Sequence, residues 1–196
     1  MSKAERTKQF IIEKTAPIFN AKGFAGTSMS DMIAATGLTK GSIYGNFENK
    51  DAVAAAAFDY NYSKIVNHIV EKTRQQPLMI NKLLVYPETF SNFFKLPFLQ
   101  EGCPVLNTST EADDTHPELR KKAIAALALW KKAIVKYIEI GIETKEIKPD
   151  VNAPAFAIVL VSLIEGAMMQ AKLHGNDEAL NITMKHVEEM ILSLRA

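Results

Sequence analysis

Apolar side chains recur every three or four residues along nearly the whole chain, which is the spacing of α-helices that bury one face. No segment alternates apolar and polar residues over the length of a strand. No Asn-Gly or Asp-Gly pair lies between β-branched runs, as is typical of a tight β-hairpin. The pattern predicts an all-α protein with about nine helices.

The first quarter of the chain contains strong helix start and stop signals. The first helix begins near the N-terminus and is expected to end at Gly23, where a glycine can take a left-handed cap conformation. Ser28 and Asp31 have the spacing of a capping box and predict a second, short helix. Thr39 and Asn49 can cap a third short helix and a long fourth one.

The rest of the chain is also predicted to be helical, with one irregular region. Pro87 is expected to break or kink a helix, and residues 96–114 predict a loop with one or two helical turns. Thr115 and the proline two residues later predict the start of a long helix. The last two helices are expected over about 153–174 and from 177 to the end.

Composition favours a soluble, cytoplasmic protein without a membrane span. The 196 residues are 47% hydrophobic, and the single cysteine, Cys103, cannot form an intrachain disulfide. No signal peptide is evident, and the longest apolar stretch is shorter than the roughly 20 residues of a membrane helix. The net charge is +1, but residues 1–50 hold seven Lys and Arg against four Asp and Glu. This basic end predicts an anionic partner.

The second and third helices have the arrangement of a helix-turn-helix, with a tight turn at Gly37. Its small core is expected to consist of Met32, Ile33, Leu38, Ile43 and Phe47. The outward face of the third helix would carry groups able to contact phosphates or base edges, namely Thr39, Lys40, Ser42, Tyr44 and Asn46. On periodicity alone, a small helical hairpin with a solvated face is an equal alternative.

Residues 23–51 contain the sequence GFAGTSMSDMIAATGLTKGSIYGNFENKD, which resembles the DNA-binding signature of the TetR family of transcriptional regulators. The resemblance implies contacts to double-stranded operator DNA from Thr27, Ser28, Thr39, Lys40, Gly41, Ser42, Tyr44, Gly45, Asn46 and Lys50. Gly45 stands where many members carry an aromatic residue or histidine that touches DNA. Base readout would therefore depend on Lys40, Ser42 and Tyr44.

The resemblance also implies a division into a DNA-binding domain at 1–50 and a ligand-binding and dimerisation domain at 51–196. The last two helices carry more apolar surface than one layer of a monomer covers, so a homodimer through these helices is expected. The alternative is a monomer in which they are core helices. Similar proteins are mostly repressors released from a pseudo-palindromic operator by a small-molecule inducer, through a shift of the long fourth helix.

Aromatic residues predict an apolar or aromatic inducer, although apolar residues at helical spacing are more often plain core. The candidate ligand-binding residues are Phe58, Tyr62, Phe90, Phe93, Phe94, Cys103, Leu106, Asn107, Trp130, Tyr137 and Met168. Cys103 is expected at the start of a short helix, and its Gly-Cys-Pro segment resembles that of family members that sense electrophiles or oxidants through a cysteine. An inert buried thiol is the alternative.

Two other classes of protein have little support. The four histidines are far apart in the sequence, and no Cys-x-x-Cys, His-Glu-x-x-His or glycine-rich phosphate loop occurs, so neither an enzyme nor a metal or cofactor site is predicted. Glu111, Asp113 and Asp114 are interpreted as a solvated acidic loop. A structural helical adaptor would not require the pattern at residues 39–50.

Overall fold

A computed structural model of the chain describes residues 2–196, in which nine α-helices and one short 3₁₀ helix, Phe93–Lys95, account for nearly all regular structure. The α-helices are α1 (Lys3–Gly26), α2 (Met29–Thr36), α3 (Lys40–Tyr44), α4 (Lys50–Arg74), α5 (Met79–Ser91), α6 (Pro104–Ala112), α7 (Pro117–Glu143), α8 (Ala153–His174) and α9 (Glu178–Leu192). The all-α prediction is confirmed.

The helices form two compact units. The first unit consists of the described residues up to Lys64 together with Glu101–Ala126. The second unit consists of Ile65–Gln100 and Leu127–Ala196. The boundary between the units therefore falls inside α4 and α7.

Local capping explains why the first unit begins and ends its helices where it does. Ser28 and Asp31 form the predicted capping box, and the Thr39 hydroxyl accepts a hydrogen bond from the Ser42 N–H. The Asn49 side chain likewise accepts from the Ala52 N–H at the start of α4, 2.9 Å away. α2 ends at Gly37, whose φ of 67° lies in the left-handed region that glycine adopts without strain.

The core of the helix-turn-helix agrees with the prediction in part. Met32 and Ile43 are fully buried and Phe47 nearly so. Ile33, in contrast, is exposed, so its predicted place in the core is wrong. A helix of eight residues has only two turns, and α2 buries Met32 and Thr36 on its inner face.

The second unit contains the long apolar helices. α5 continues through Pro87 to Ser91, so the helix does not break at that proline. Leu83, Tyr86 and Phe90 are buried on either side of it, and this packing outweighs the roughly 3 kcal/mol cost of a proline inside a helix. The chain ends beside an isolated antiparallel bridge between Ile147 and Arg195.

α8 is the only helix within residues 2–196 that is long and apolar enough to cross a membrane. Its most apolar 18-residue window has a mean hydropathy of 1.6, and 39% of that window is buried. The core helix of a soluble protein meets the same criteria of length and composition, so this finding alone is weak evidence for a membrane span. α8 continues through Glu165, which interrupts its apolar run, as far as His174.

The region around residues 96–116 differs from the sequence prediction in two details. It contains a helix of nine residues, α6, whose N-cap is Cys103. The start of α7 is capped by His116, whose Nδ1 accepts from the Leu119 N–H, and not by Thr115. The Thr115 hydroxyl instead donates to the Glu111 carbonyl of the preceding helix. Because its hydroxyl is bonded to the preceding helix, Thr115 does not cap the helix that follows.

Candidate nucleic-acid interface

α3 presents a small polar surface to solvent. Thr39, Lys40, Gly41 and Tyr44 are exposed, and Ser42 is half-buried. The Lys40 ammonium lies 5.9 Å from the centroid of the Tyr44 ring, so the cation and the ring occupy the same face. This face can supply a positive charge and hydroxyl groups to a DNA groove.

The start of α2 forms a second exposed group of polar side chains. Ser28 and Asp31 exchange hydrogen bonds, and the Lys22 ammonium lies 2.7 Å from the Asp31 carboxylate. Hydrogen bonds from Lys22, and then from Ser28, hold the pKa of Asp31 well below its ordinary value. The carboxylate therefore stays ionised, and the Lys22 ammonium neutralises its charge.

Two of the predicted DNA-contacting side chains are engaged within the protein. Thr27 is fully buried, and its hydroxyl donates to the Gly23 carbonyl at 2.6 Å. The Asn46 amide donates to the Ser42 carbonyl at 2.9 Å. Thr27 therefore has no side-chain surface for the predicted phosphate contact, and its structural role is to close the connection between α1 and α2.

The remaining predicted residues lie at the edges of this surface. Lys50, at the start of α4, is half-buried with its ammonium 4.2 Å from the centroid of the Phe24 ring. Gly45 is exposed and has ordinary right-handed helical angles, φ −72° and ψ −17°. No unusual backbone conformation therefore requires a glycine at this position.

The predicted ligand-binding residues are divided between the two units. Those in the first unit are Phe58, Tyr62, Cys103, Leu106 and Asn107. The Phe58 and Tyr62 rings are stacked with centroids 6.2 Å apart, and the Tyr62 hydroxyl donates to the Ala126 carbonyl. Burial, followed by the negative charge that Cys103 carries as a thiolate, raises the pKa of Tyr62. Cys103 is itself buried.

The second unit holds the other predicted ligand-binding residues, Phe90, Phe93, Phe94, Trp130, Tyr137 and Met168. Trp130 stacks on Phe90 and Tyr86, with centroids 5.5 and 6.4 Å away. Two buried polar atoms of this unit, Trp130 Nε1 and Thr89 Oγ1, have no hydrogen-bond partner among the described residues.

The other members of this set have different surroundings. Phe93 and Met168 are buried, whereas Phe94 is exposed and meets Phe93 edge to face. The Tyr137 hydroxyl approaches the Thr73 hydroxyl at 3.4 Å. Among the predicted ligand contacts, Phe94 is therefore the most exposed to solvent.

Comparison with known families identifies the chain. The profile described as "Bacterial regulatory proteins, tetR family" matches residues 11–57. The profile described as "Tetracyclin repressor-like, C-terminal domain" matches residues 80–187, which is more than half of the chain. The chain belongs to the TetR family. It is a ligand-responsive helix-turn-helix transcriptional regulator, and because the family consists of regulators, the expectation that it is not an enzyme is confirmed.

Relatives across the family support this assignment. The transcriptional repressor DhaR of Mycobacterium sp. strain GP1 is 26% identical, over 94% of this chain and 92% of DhaR. The repressor NemR of Escherichia coli K12 is 25% identical, over 94% of both chains. A TetR-family regulator from Cytophaga hutchinsonii of known structure is 44% identical, with a TM-score of 0.92 over 100% of this chain and 98% of that chain.

One contact beside the helix-turn-helix was missed by sequence reasoning. Glu111, interpreted as part of a solvated acidic loop, belongs to α6 and accepts hydrogen bonds from the backbone of Phe24 and Ala25. The available signal was the four-residue spacing of Asn107 and Glu111, which places both on one face of a helix. Their partner in α1 is more than 80 residues away, so the sequence gives no indication of the contact.

Proposed function

We propose that this TetR-family chain is a cytoplasmic homodimeric repressor that binds a pseudo-palindromic operator and is released by a small apolar or aromatic inducer. The observation that carries the proposal is the exposed face of α3. Lys40 and Tyr44 lie together on this face, and Thr39 caps the helix. An α-helix fits the major groove of B-form DNA, and the ammonium and the hydroxyls supply donors for base edges and phosphates.

Side chains that are free to reach DNA divide into two groups in this proposal. Lys40, Ser42 and Tyr44 act in base readout, and Ser28 and Lys50 act on phosphates together with the exposed N-terminus of α3 at Thr39 and Gly41. At Gly45 and Asn46, the protein backbone of this surface approaches the DNA. Thr27 acts through the fold, since its hydroxyl is committed to Gly23.

A footprint of the purified protein on DNA flanking its own gene, repeated over a range of salt concentrations, tests the proposal. We expect a protected pseudo-palindrome and a linear fall of log affinity with log salt concentration. Lys40→Ala and Tyr44→Ala should abolish protection while retaining the helical content of the wild type. Lys64→Ala, an exposed lysine of the same unit outside the proposed interface, serves as the control. Normal protection by both α3 variants would refute the assignment of α3 as the recognition helix.

Exposed apolar side chains on α8 and α9 support the homodimer. Ile158, Val159, Met169 and Leu173 on α8 and Ile182 on α9 are all exposed in the single chain. Several large apolar groups exposed on two packed helices are characteristic of an interface between subunits. A two-fold axis through these helices would present two copies of α3 to successive turns of the DNA.

The aromatic stack of the second unit supports an apolar or aromatic inducer. Trp130 offers an N–H donor beside the Phe90 ring, and a ligand with a hydrogen-bond acceptor would satisfy that donor. Trp130 is the only tryptophan of the chain, so its fluorescence reports on this region alone. Compounds that quench or shift this emission should also reduce operator protection, and a compound that binds without that effect is not an inducer.

Modification of Cys103 is a second route of release within the proposal. Its position at the N-cap of α6 favours the thiolate through the helix dipole, and Pro104 follows it as in the related sensor segments. Its burial restricts access to small reagents. A small electrophile such as iodoacetamide, or an oxidant such as hydrogen peroxide, should reduce operator protection by the wild type and leave Cys103→Ser unaffected. Equal loss of protection in both proteins would exclude this cysteine as the sensor.

A further inference from the structure

α1 is interrupted near its C-terminal end, immediately before the helix-turn-helix. Gly23 has φ 72° and ψ 179°, which is not helical, and only a glycine adopts this φ readily. In a continuous helix, the Phe24 N–H would donate to the Asn20 carbonyl four residues earlier. The break separates these two groups, and both are partly shielded from water, where unpaired backbone groups are costly.

Two side chains of α6 replace the broken hydrogen bond. The Asn107 amide donates to the Asn20 carbonyl at 3.0 Å. The Glu111 carboxylate accepts from the N–H groups of Phe24 and Ala25, each at 2.8 Å. Asn107 and Glu111 are four residues apart in α6, so one helix face satisfies both sides of the break.

The space around position 23, as well as its backbone angle, requires a glycine in this arrangement. A Cβ atom at this position would lie 2.3 Å from a Glu111 carboxylate oxygen, far inside van der Waals contact. The position of Glu111 is unfavourable within its own helix, because a carboxylate in the last turn opposes the helix dipole. The two backbone donors compensate for this local cost. The tertiary contact, and not helix propensity, therefore explains why a glutamate occupies the last turn of α6.

The same joint has a second contact from the segment that follows α6. The His116 ring meets the Phe24 ring edge to face at 4.5 Å, and its Nε2 lies 2.9 Å from the Asp51 carboxylate. Because His116 Nδ1 accepts from the Leu119 N–H, a neutral ring carries its proton on Nε2 and donates to Asp51. The segment between α6 and α7 thus holds both the end of α1 and the first turn of α4.

We propose that Asn107 and Glu111 are positioning residues for operator binding. They fix the direction in which the chain leaves α1, and thereby the placement of Ser28 and α3 relative to Lys50. The inference rests on the proposed operator function and extends it to a specific α6 face. It assigns a role in DNA affinity to an acidic side chain, although the removal of a negative charge should by itself favour DNA binding.

Loss of the negative charge and loss of the positioning contact should therefore change operator affinity in opposite directions. Operator affinity is measured for Glu111→Gln and Asn107→Ala at a temperature where circular dichroism shows wild-type helicity. We expect each variant to bind operator about tenfold more weakly, since charge-assisted or partly buried hydrogen bonds are lost. Affinity for non-operator DNA should stay the same or rise. Asp114→Asn removes an equal charge from an exposed neighbour and should leave operator affinity unchanged.

Amide hydrogen exchange in the DNA-free protein gives an independent readout. Exchange at Phe24 and Ala25 should accelerate in Glu111→Gln and remain at the wild-type rate in Asp114→Asn. If Glu111→Gln does not reach wild-type helicity, Asn107→Ala decides the question. Operator affinities of the folded variants within twofold of the wild type would overturn the inference while leaving the proposed function intact. A wild-type protein that protects no operator would instead overturn the proposed function itself, together with the positioning role that rests on it.

Discussion

The Lys50 ammonium lies 4.2 Å from the centroid of the Phe24 ring, which joins the first turn of α4 to the end of α1. A cation held over an aromatic face is attracted by the negative potential of the ring and loses conformational freedom. Lys50 is therefore oriented in the DNA-free protein, so less side-chain entropy would be lost in the proposed contact with a phosphate.

Two substitutions test the charge of Lys50 and its orientation by Phe24 separately. Lys50→Ala should weaken operator binding and reduce the slope of log affinity against log salt by about one per removed phosphate contact. Phe24→Leu should retain the slope and weaken binding by about 0.5–1 kcal/mol, the typical energy of an exposed cation–π pair. Tyr60→Leu removes a similar pair with Lys64, at 4.7 Å, and is the matched control. A reduced slope in Phe24→Leu would show that the ring does more than orient the lysine.

Two glycines with similar backbone angles should respond differently to alanine. Gly37 and Gly23 have φ of 67° and 72°, but a Cβ on Gly37 would meet no atom within 4 Å. Gly37→Ala should cost about 1 kcal/mol of unfolding free energy from backbone strain alone. Gly23→Ala should cost more, because its Cβ would collide with Glu111.

Chemical denaturation of single and double variants measures this difference. In a Glu111→Ala background, the cost of Gly23→Ala should fall towards that of Gly37→Ala, because the collision has been removed. The cost of Gly37→Ala should be the same in both backgrounds, which provides the control. Additive costs for Gly23→Ala and Glu111→Ala would contradict the contact between them.

Local signals in the sequence predict much of the fold correctly. The Ser28–Asp31 capping box, the Asn49 cap of α4 and the stop at Gly37 each depend on residues within four positions of one another. Such interactions are encoded by spacing alone. The polar face of α3 is equally local, since a helix of known start places its side chains on known faces.

The failures have in common that burial and specific contacts decide the outcome, and residue type at helical spacing reveals neither. α5 continues through Pro87 because buried neighbours stabilise it. Thr27 is buried because its hydroxyl closes the turn after Gly23, although its residue type suits a phosphate contact. Glu111 lies in the last turn of a helix, where propensity disfavours it, because α1 supplies two donors. Spacing within a segment carries no information about partners 80 residues away.

His68 predicts a pH dependence of stability in the second unit. Burial, followed by the positive charge of Lys72, lowers the pKa of His68 from its ordinary value of 6.5, while Glu71 and Glu88 oppose the shift. Below pH 6.5 the unfolded chain binds a proton that the folded chain does not, so the free energy of unfolding should fall as the pH decreases.

Urea denaturation between pH 7.5 and pH 5 measures this effect. His68→Gln should flatten the decrease in unfolding free energy over that range relative to the wild type. His186→Gln, at an exposed position of α9, is the matched control and should leave the profile unchanged. An unaltered profile in His68→Gln would mean that other groups account for the acid lability.

Single charges on α8 and α9 should separate the proposed dimer into monomers. Leu173 and Ile182 are 76% and 66% exposed in the single chain, so neither side chain contributes to its core. Leu173→Glu or Ile182→Glu would place a carboxylate in the proposed apolar interface, where desolvation without a partner is strongly unfavourable. Sedimentation velocity should show a monomer with the helical content of the wild type and weaker operator binding, since one α3 then binds alone.

Ile124→Glu supplies the control for that experiment. Ile124 is 57% exposed but lies on α7, outside the last two helices. The substitution introduces the same charge at a similarly exposed apolar position, so it should leave the oligomeric state and operator affinity unchanged. If Ile124→Glu dissociates the protein and both α8–α9 variants remain dimeric, the two-fold contact involves α7 and the proposed interface is wrong. Loss of both the dimer and operator affinity in the α8–α9 variants alone would link pairing through these helices to DNA binding.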